Sequence, residues 1–140
     1  MREQTVFPMI AYENAAAAMD WLVHAFGFTE RRRMTDQQGR VVHGELELSD
    51  NVVMVASPTP DYQSPKRHAE SCPQARQWLT VPWVIDGVLV FVDDIERHFV
   101  QARQAGAMML SEIESGGPGL LYRAADMEGH RWMFVERGKG

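Results

Sequence analysis

The stretch GVLVFVDDIERHFVQARQAGA at residues 87–107, taken with AADMEGHRWMFVE at residues 124–136, decides the fold. Gly87–Val92 is an unbroken apolar run, the pattern of a strand covered on both faces. Residues 95–105 have helical spacing, with Phe99, Ala102 and Ala105 on the inward face. Gly106 stops that helix, because glycine accepts the left-handed backbone that helix ends use. Residues 107–113 then predict a strand, 116–119 a turn and 120–125 a strand. Glu128 and Gly129 make a hairpin turn before a last strand, Arg131–Glu136. The order is β-α-β-β-β.

Working outward, the first half repeats that order. Residues 5–12 predict a strand; Pro8 inside it favours an edge or an end, since proline cannot donate to a ladder. Asn14 is an N-cap for a helix over Ala15–Phe26. Ala18, Met19, Leu22 and Ala25 form its apolar face, and Gly27 is its stop. Thr29–Thr35 is a strand, residues 36–39 a turn, and Val41–Leu48 an alternating strand. Val42, Gly44, Leu46 and Leu48 are assigned to one face, and His43, Glu45 and Glu47 to the other. A tight turn at residues 49–51 leads to an apolar strand at 52–56. Two copies of one plan imply an internal duplication. Five of the seven prolines fall in residues 57–82, read as a long connector with one helical turn over 74–79. The chain is therefore expected to be one domain over 1–140: module one at 1–56, connector at 57–82 and module two at 83–140.

At 140 residues a sizeable core is possible, and 45% apolar with 24% charged residues excludes a disordered chain. A net charge of −5 argues against a nucleic-acid partner, which calls for a surplus of Lys and Arg. Cys72 alone excludes an internal disulfide and a cysteine zinc site. No signal-like or membrane-spanning apolar run is present, so no membrane partner is expected and the expected location is cytoplasmic.

The "VDD" after the strand, the "AG" helix stop and the "DMEGHRW" hairpin resemble the glyoxalase / bleomycin-resistance / dioxygenase (vicinal oxygen chelate) superfamily. AMDWLVHAFGF at residues 18–28 is similar to the corresponding first-half helix. The resemblance implies an α+β fold in which two βαβββ modules form a curved sheet enclosing a cleft, and it implies a homodimer. It also implies that metal-dependent relatives draw ligands from the first and last strands of each half. Those positions here carry Phe7, Met54, Gly87 and Met133, which offer no imidazole or carboxylate. No metal and no other cofactor is therefore expected.

Within that frame the candidate ligand-binding residues are Phe7, His43, Met54, Tyr122, Arg131 and Met133. His43 and Glu45 are the candidate catalytic pair. Their strand face is either a cleft wall or a solvated outer face. Tyr122 offers a hydroxyl, and Arg131 a partner for an anion or a plain surface charge. His130 either donates to a ligand or fixes its turn. Tyr62, Trp78 and Trp83 cap a pocket, cover the core or line a dimer seam. Arg31, Arg32 and Arg33 divide between two strand faces, which suits a solvated strand better than a phosphate-binding patch. Nine methionines are many for this length, and Met54 and Met133 among them occupy metal positions. The expected function is metal-free binding of an apolar or aromatic small molecule, with self-association as the other partnership. The alternative is a lyase or dioxygenase that has relocated its metal ligands to residues such as His43 and Glu45.

Overall fold

Asn14 accepts a hydrogen bond from the Ala17 amide and opens helix α1, Ala15–Phe26; Gly27, at φ 86°, closes it. A computed structural model describes residues 3–116 and 119–138. It divides at Ser64–Pro65 into two units, and α1 belongs to the first. Ala15, Ala18, Met19, Leu22, Ala25 and Phe26 are its buried face. That face lies on a sheet of β1 (Met9–Ala11), β2 (Thr29–Thr35), β3 (Val41–Leu48) and β4 (Asn51–Ala56). The spatial order is β1-β4-β3-β2, with β1 parallel to β4 and the other pairs antiparallel. Gly44 permits the contact: a β-carbon there would stand 2.6 Å from Met19 Sδ and 2.9 Å from Val55 Cγ2. Ser49 and Asp50 both take positive φ, the conformation that a two-residue hairpin loop needs.

Two expectations change in this unit. Strand β1 starts at Met9, after Pro8, so Phe7 lies outside the sheet. Met54 donates to the Pro8 carbonyl at 2.9 Å, and the residue in register with Met54 is Met9. The β3 alternation also breaks. The ladder passes from Met34–His43 to Thr35–Val41 and skips Val42, which forms a bulge. Val41 is fully buried and Val42 half exposed, so Val42 leaves the face it was expected to share with Gly44 and Leu46.

The second unit holds the same plan with additions. Strands β5 (Gly87–Val92), β6 (Met108–Met109), β8 (Gly119–Ala125) and β9 (Arg131–Glu136) lie in the order β5-β9-β8-β6, again with the first and last parallel. β7 (Glu114–Gly116) also pairs with β8. The strand expected over 107–113 is thus only the two-residue β6, and β7 begins just beyond it. Leu110 donates to the Arg123 carbonyl, but Ser111 Oγ then accepts from the Arg123 amide. A side chain takes over where the ladder would continue. Residues 117 and 118 of the expected 116–119 turn lie outside the described residues.

Helix α4 (Ile95–Gln104) is capped by Asp94, which accepts from the Arg97 amide. It ends in a Schellman motif: Ala107 donates to the Ala102 carbonyl and Gly106, at φ 97°, to that of Arg103. Ile95, Phe99 and Ala102 are its buried residues; Ala105, expected with them, is the C-cap. Under the helix lie Tyr122, Phe134 and Trp132, all but fully buried, with the Tyr122 and Phe134 rings stacked at 5.1 Å. Burying one side chain of this class contributes about 1.5–3 kcal/mol.

The proline-rich stretch is more ordered than expected. It contains α2 (Pro65–Ser71) and α3 (Pro73–Trp78), each beginning at a proline. Proline in a first helical turn gives up only an amide that has no helical partner, so these prolines start helices. Arg76 ties the two together by donating to the carbonyls of Ala69 and Glu70.

Candidate functional site

The two units each present a sheet face opposite the helix. In the first, α1 meets the Gly44 side, so His43, Glu45 and Met54 lie on the other; Glu45 is Met54's partner across β3–β4. A cavity of about 230 Å³ opens there, lined by Met9, Val42, His43, Met54 and Pro58 among others. His43 Nε2 is 2.7 Å from Glu45 Oε2, and Arg31 Nε, from a bulge in β2, is 3.5 Å from Glu45 Oε1. The His43 hydrogen bond, then the charges of His43, Arg31 and Arg32, hold the Glu45 carboxyl below the usual glutamate range. The basic run is thus engaged locally, for Arg33 also pairs with Asp20 and Glu30.

In the second unit, β9 splits its side chains. Trp132 and Phe134 face α4, while Arg131 and Met133 face the open side. Leu89 of β5 and Arg123 of β8 are Met133's register partners. A cavity of about 300 Å³ lies here, lined by Trp83, Asp86, Leu89, Arg123, Arg131 and Met133 among others. The Arg123 guanidinium sits 5.5 Å from the Trp83 ring centre. Burial, opposed by the charge of Asp126, lowers the Arg131 pKa from the usual arginine value.

Of the six candidate ligand-binding residues, the first cavity takes His43 and Met54, and the second takes Arg131 and Met133. Phe7 lines neither cavity. Tyr122 belongs to the helix side, contrary to the hydroxyl expected in the cleft. It is fully buried, and its oxygen is 2.6 Å from His98 Nδ1. Desolvation pushes that phenol far above the usual tyrosine range. Met9 was missed; the signal was Pro8, which sets where the strand begins. Leu89 was missed in the same way. In both halves the residue in register with the last-strand methionine lies two positions beyond the one expected from the resemblance, Met9 for Phe7 and Leu89 for Gly87.

The conspicuous "DMEGHRW" hairpin is structural. Buried Asp126 accepts from the Glu128 and His130 amides through Oδ1 and from Trp132 Nε1 through Oδ2. The Glu128 carbonyl in turn accepts from the Lys66 amide at the start of α2.

Two copies of one β-α-β-β-β plan, each with a helix on one sheet face and a cavity on the other, define a duplicated α+β protein. The Glyoxalase/Bleomycin resistance protein/Dioxygenase superfamily matches residues 5–134, and the chain belongs to that superfamily. An uncharacterized protein of Mycobacterium bovis is 27% identical over 135 residues, covering 93% of this chain and 81% of that protein. The crystal structure of TioX from Micromonospora sp. ML1 is similar at a TM-score of 0.68 and 27% identity, over 98% of both chains. The fosfomycin resistance protein FosX from Listeria monocytogenes shares the fold at a TM-score of 0.65 and 7% identity, over 99% of this chain and 96% of that one.

The divalent ion that the superfamily implies does not fit these residues. The first face offers one imidazole, already bonded to Glu45, with Glu47 two residues further along the strand and two thioethers beside them. The second offers a methionine, a leucine and two guanidinium groups around the exposed Asp86. Among the described residues, no three His, Cys, Asp or Glu side chains come together as a metal site. No helix among them is long and apolar enough to cross a membrane.

Proposed function

We infer that this protein binds a small apolar or aromatic molecule without a metal ion. The observation that carries the reading is the lining of the open sheet faces. Met9 beside Met54, and Leu89 beside Met133, occupy the paired first-strand and last-strand positions of the two halves. Thioether and aliphatic groups there wrap an apolar surface and supply no hard donor. Fosfomycin resistance in FosX, a protein of the same fold, supports a role in binding or neutralising a small toxic compound. Holding such a compound requires affinity and no chemical step. The protein works in the cytoplasm as a homodimer, without nucleic acid or membrane.

A specific observation favours one second reading. His43 and Glu45 form an oriented imidazole–carboxylate pair at the edge of the first cavity, the arrangement a general base requires. A lyase of this superfamily would use that pair as its base.

Thermal unfolding against neutral planar aromatics such as flavone tests the binding reading. A ligand at one hundred times its Kd adds about 2.7 kcal/mol of stability and raises Tm. Elemental analysis of the purified protein accompanies it, with substoichiometric metal expected. A stoichiometric zinc, nickel or iron ion that supports turnover of a glyoxalase or catechol substrate would overturn the reading. Light scattering at micromolar concentration checks the dimer.

A further inference from the structure

Arg131 is 5% exposed, an unusual position for a permanent cation. Its Nη2 donates to the Leu79 carbonyl at 2.9 Å, while Nε and Nη1 are buried with no hydrogen-bond partner. Asp126, whose charge Arg131 feels, is committed to the Glu128 and His130 amides and to the Trp132 indole. A guanidinium buried with open donors is destabilising unless something completes it, and an anion completes it best. Among apolar neighbours an arginine contributes a fixed charge and directional donors that a lysine does not.

The rest of the cavity wall says what kind of anion. Trp83 presents an indole that is 68% exposed, with the Arg123 guanidinium 5.5 Å from its centre. Leu89 and Met133 are apolar. Asp86 also lines the cavity, but it is exposed, so water screens its charge while little screens that of Arg131. A volume of about 300 Å³ suits a molecule of one or two fused rings.

We propose that this cavity takes an aromatic carboxylate, whose oxygen accepts from an Arg131 nitrogen that Leu79 leaves open and whose ring lies along Trp83. The proposal rests on the small-molecule reading above and names the chemistry of one end of the ligand. The open nitrogens are out of contact with water, so binding requires a wall side chain to turn.

Calorimetry with 2-naphthoate and its neutral isostere 2-naphthamide tests it. A charge-assisted hydrogen bond makes the acid about tenfold tighter or more, as 1.4 kcal/mol corresponds to tenfold. Arg131→Met costs the acid about tenfold or more beyond what it costs the amide, whose carbonyl accepts only a hydrogen bond without charge assistance, and so closes the gap between them; Trp83→Ala, at an exposed position, weakens both. Should Arg131→Met fail to fold, ¹⁵N-labelled wild-type protein decides: the Arg131 Nε–H resonance shifts further with the acid than with the amide. Equal affinity for acid and amide, an acid preference that survives Arg131→Met, or an unmoved Nε–H overturns the proposal. If the amide or other neutral aromatics still bind in that case, the small-molecule reading stands. If no compound of either panel binds, both fall.

Discussion

Glu45 Oε2 lies 2.7 Å from His43 Nε2, two residues away along one face of β3, and the same carboxylate faces Arg31 from β2. Its pKa is lowered, first by the His43 hydrogen bond. A depressed carboxylate stabilises the fold above its unfolded pKa and loses that contribution as pH falls through the folded one. The stability gap between wild type and Glu45→Gln is therefore largest near neutral pH and closes below the ordinary glutamate range. Urea titrations from pH 7 to pH 3 measure it. A gap constant over that range would refute the assignment.

Gly44 touches α1 so closely that a methyl group has no room. Gly44→Ala is expected to destabilise by about 1–3 kcal/mol, the usual range for overpacking. The near atoms belong to the flexible end of Met19 and to Val55. The penalty should shrink in a Met19→Ala background, read as non-additivity in a double-mutant cycle. Additive effects would mean that the helix moves away as a whole.

Gly129 combines φ 92° with a backbone neighbour: an added β-carbon would stand 2.8 Å from the Lys66 nitrogen. Gly106 has similar backbone strain at φ 97° but open space around it. Left-handed strain costs about 1–3 kcal/mol at either site. Gly129→Ala should therefore destabilise more than Gly106→Ala, by denaturant midpoint. The reverse order would show that α2 is not held against the hairpin.

Asp126 serves three donors at once. Asp126→Ala leaves two amides and an indole N–H unserved, and each orphaned group costs about 1–3 kcal/mol. Chemical denaturation should show a large loss. Near-ultraviolet circular dichroism should show a loosened Trp132. An unchanged midpoint would mean that water replaces the carboxylate without penalty.

Much of the architecture was legible in the residues because it depends on near neighbours. The spacing in Ala15–Phe26, the stop at Gly27, the Ser49–Asp50 turn and the repeated element order are all short-range signals. The misreadings came where one residue type has two local meanings. Pro65 looked like a break in a connector and instead begins a helix, while the helical turn expected over 74–79 is present as α3, which starts at Pro73. Ser111 lies within an apparent strand, yet its hydroxyl interrupts the ladder.

The candidate site was legible in kind and less so in membership. The paired first-strand and last-strand positions that the resemblance implies carry no hard donors, and the register exchanged Phe7 and Gly87 for Met9 and Leu89, which carry none either. Which side each residue serves is a tertiary matter. Alternation states that Tyr122 and Arg123 point oppositely; only the seating of α4 puts Tyr122 beneath the helix and Arg123 beside Trp83. The burial of Arg131 is likewise invisible in the string RWMFVE. It depends on residues 79–89, which supply the Leu79 carbonyl and much of the cavity wall more than forty positions away in sequence. The sequence by itself determined the duplicated modules, because caps, turns and residue types act locally. The tertiary structure alone decided which charge was left buried with open donors, because desolvation depends on everything packed around a group.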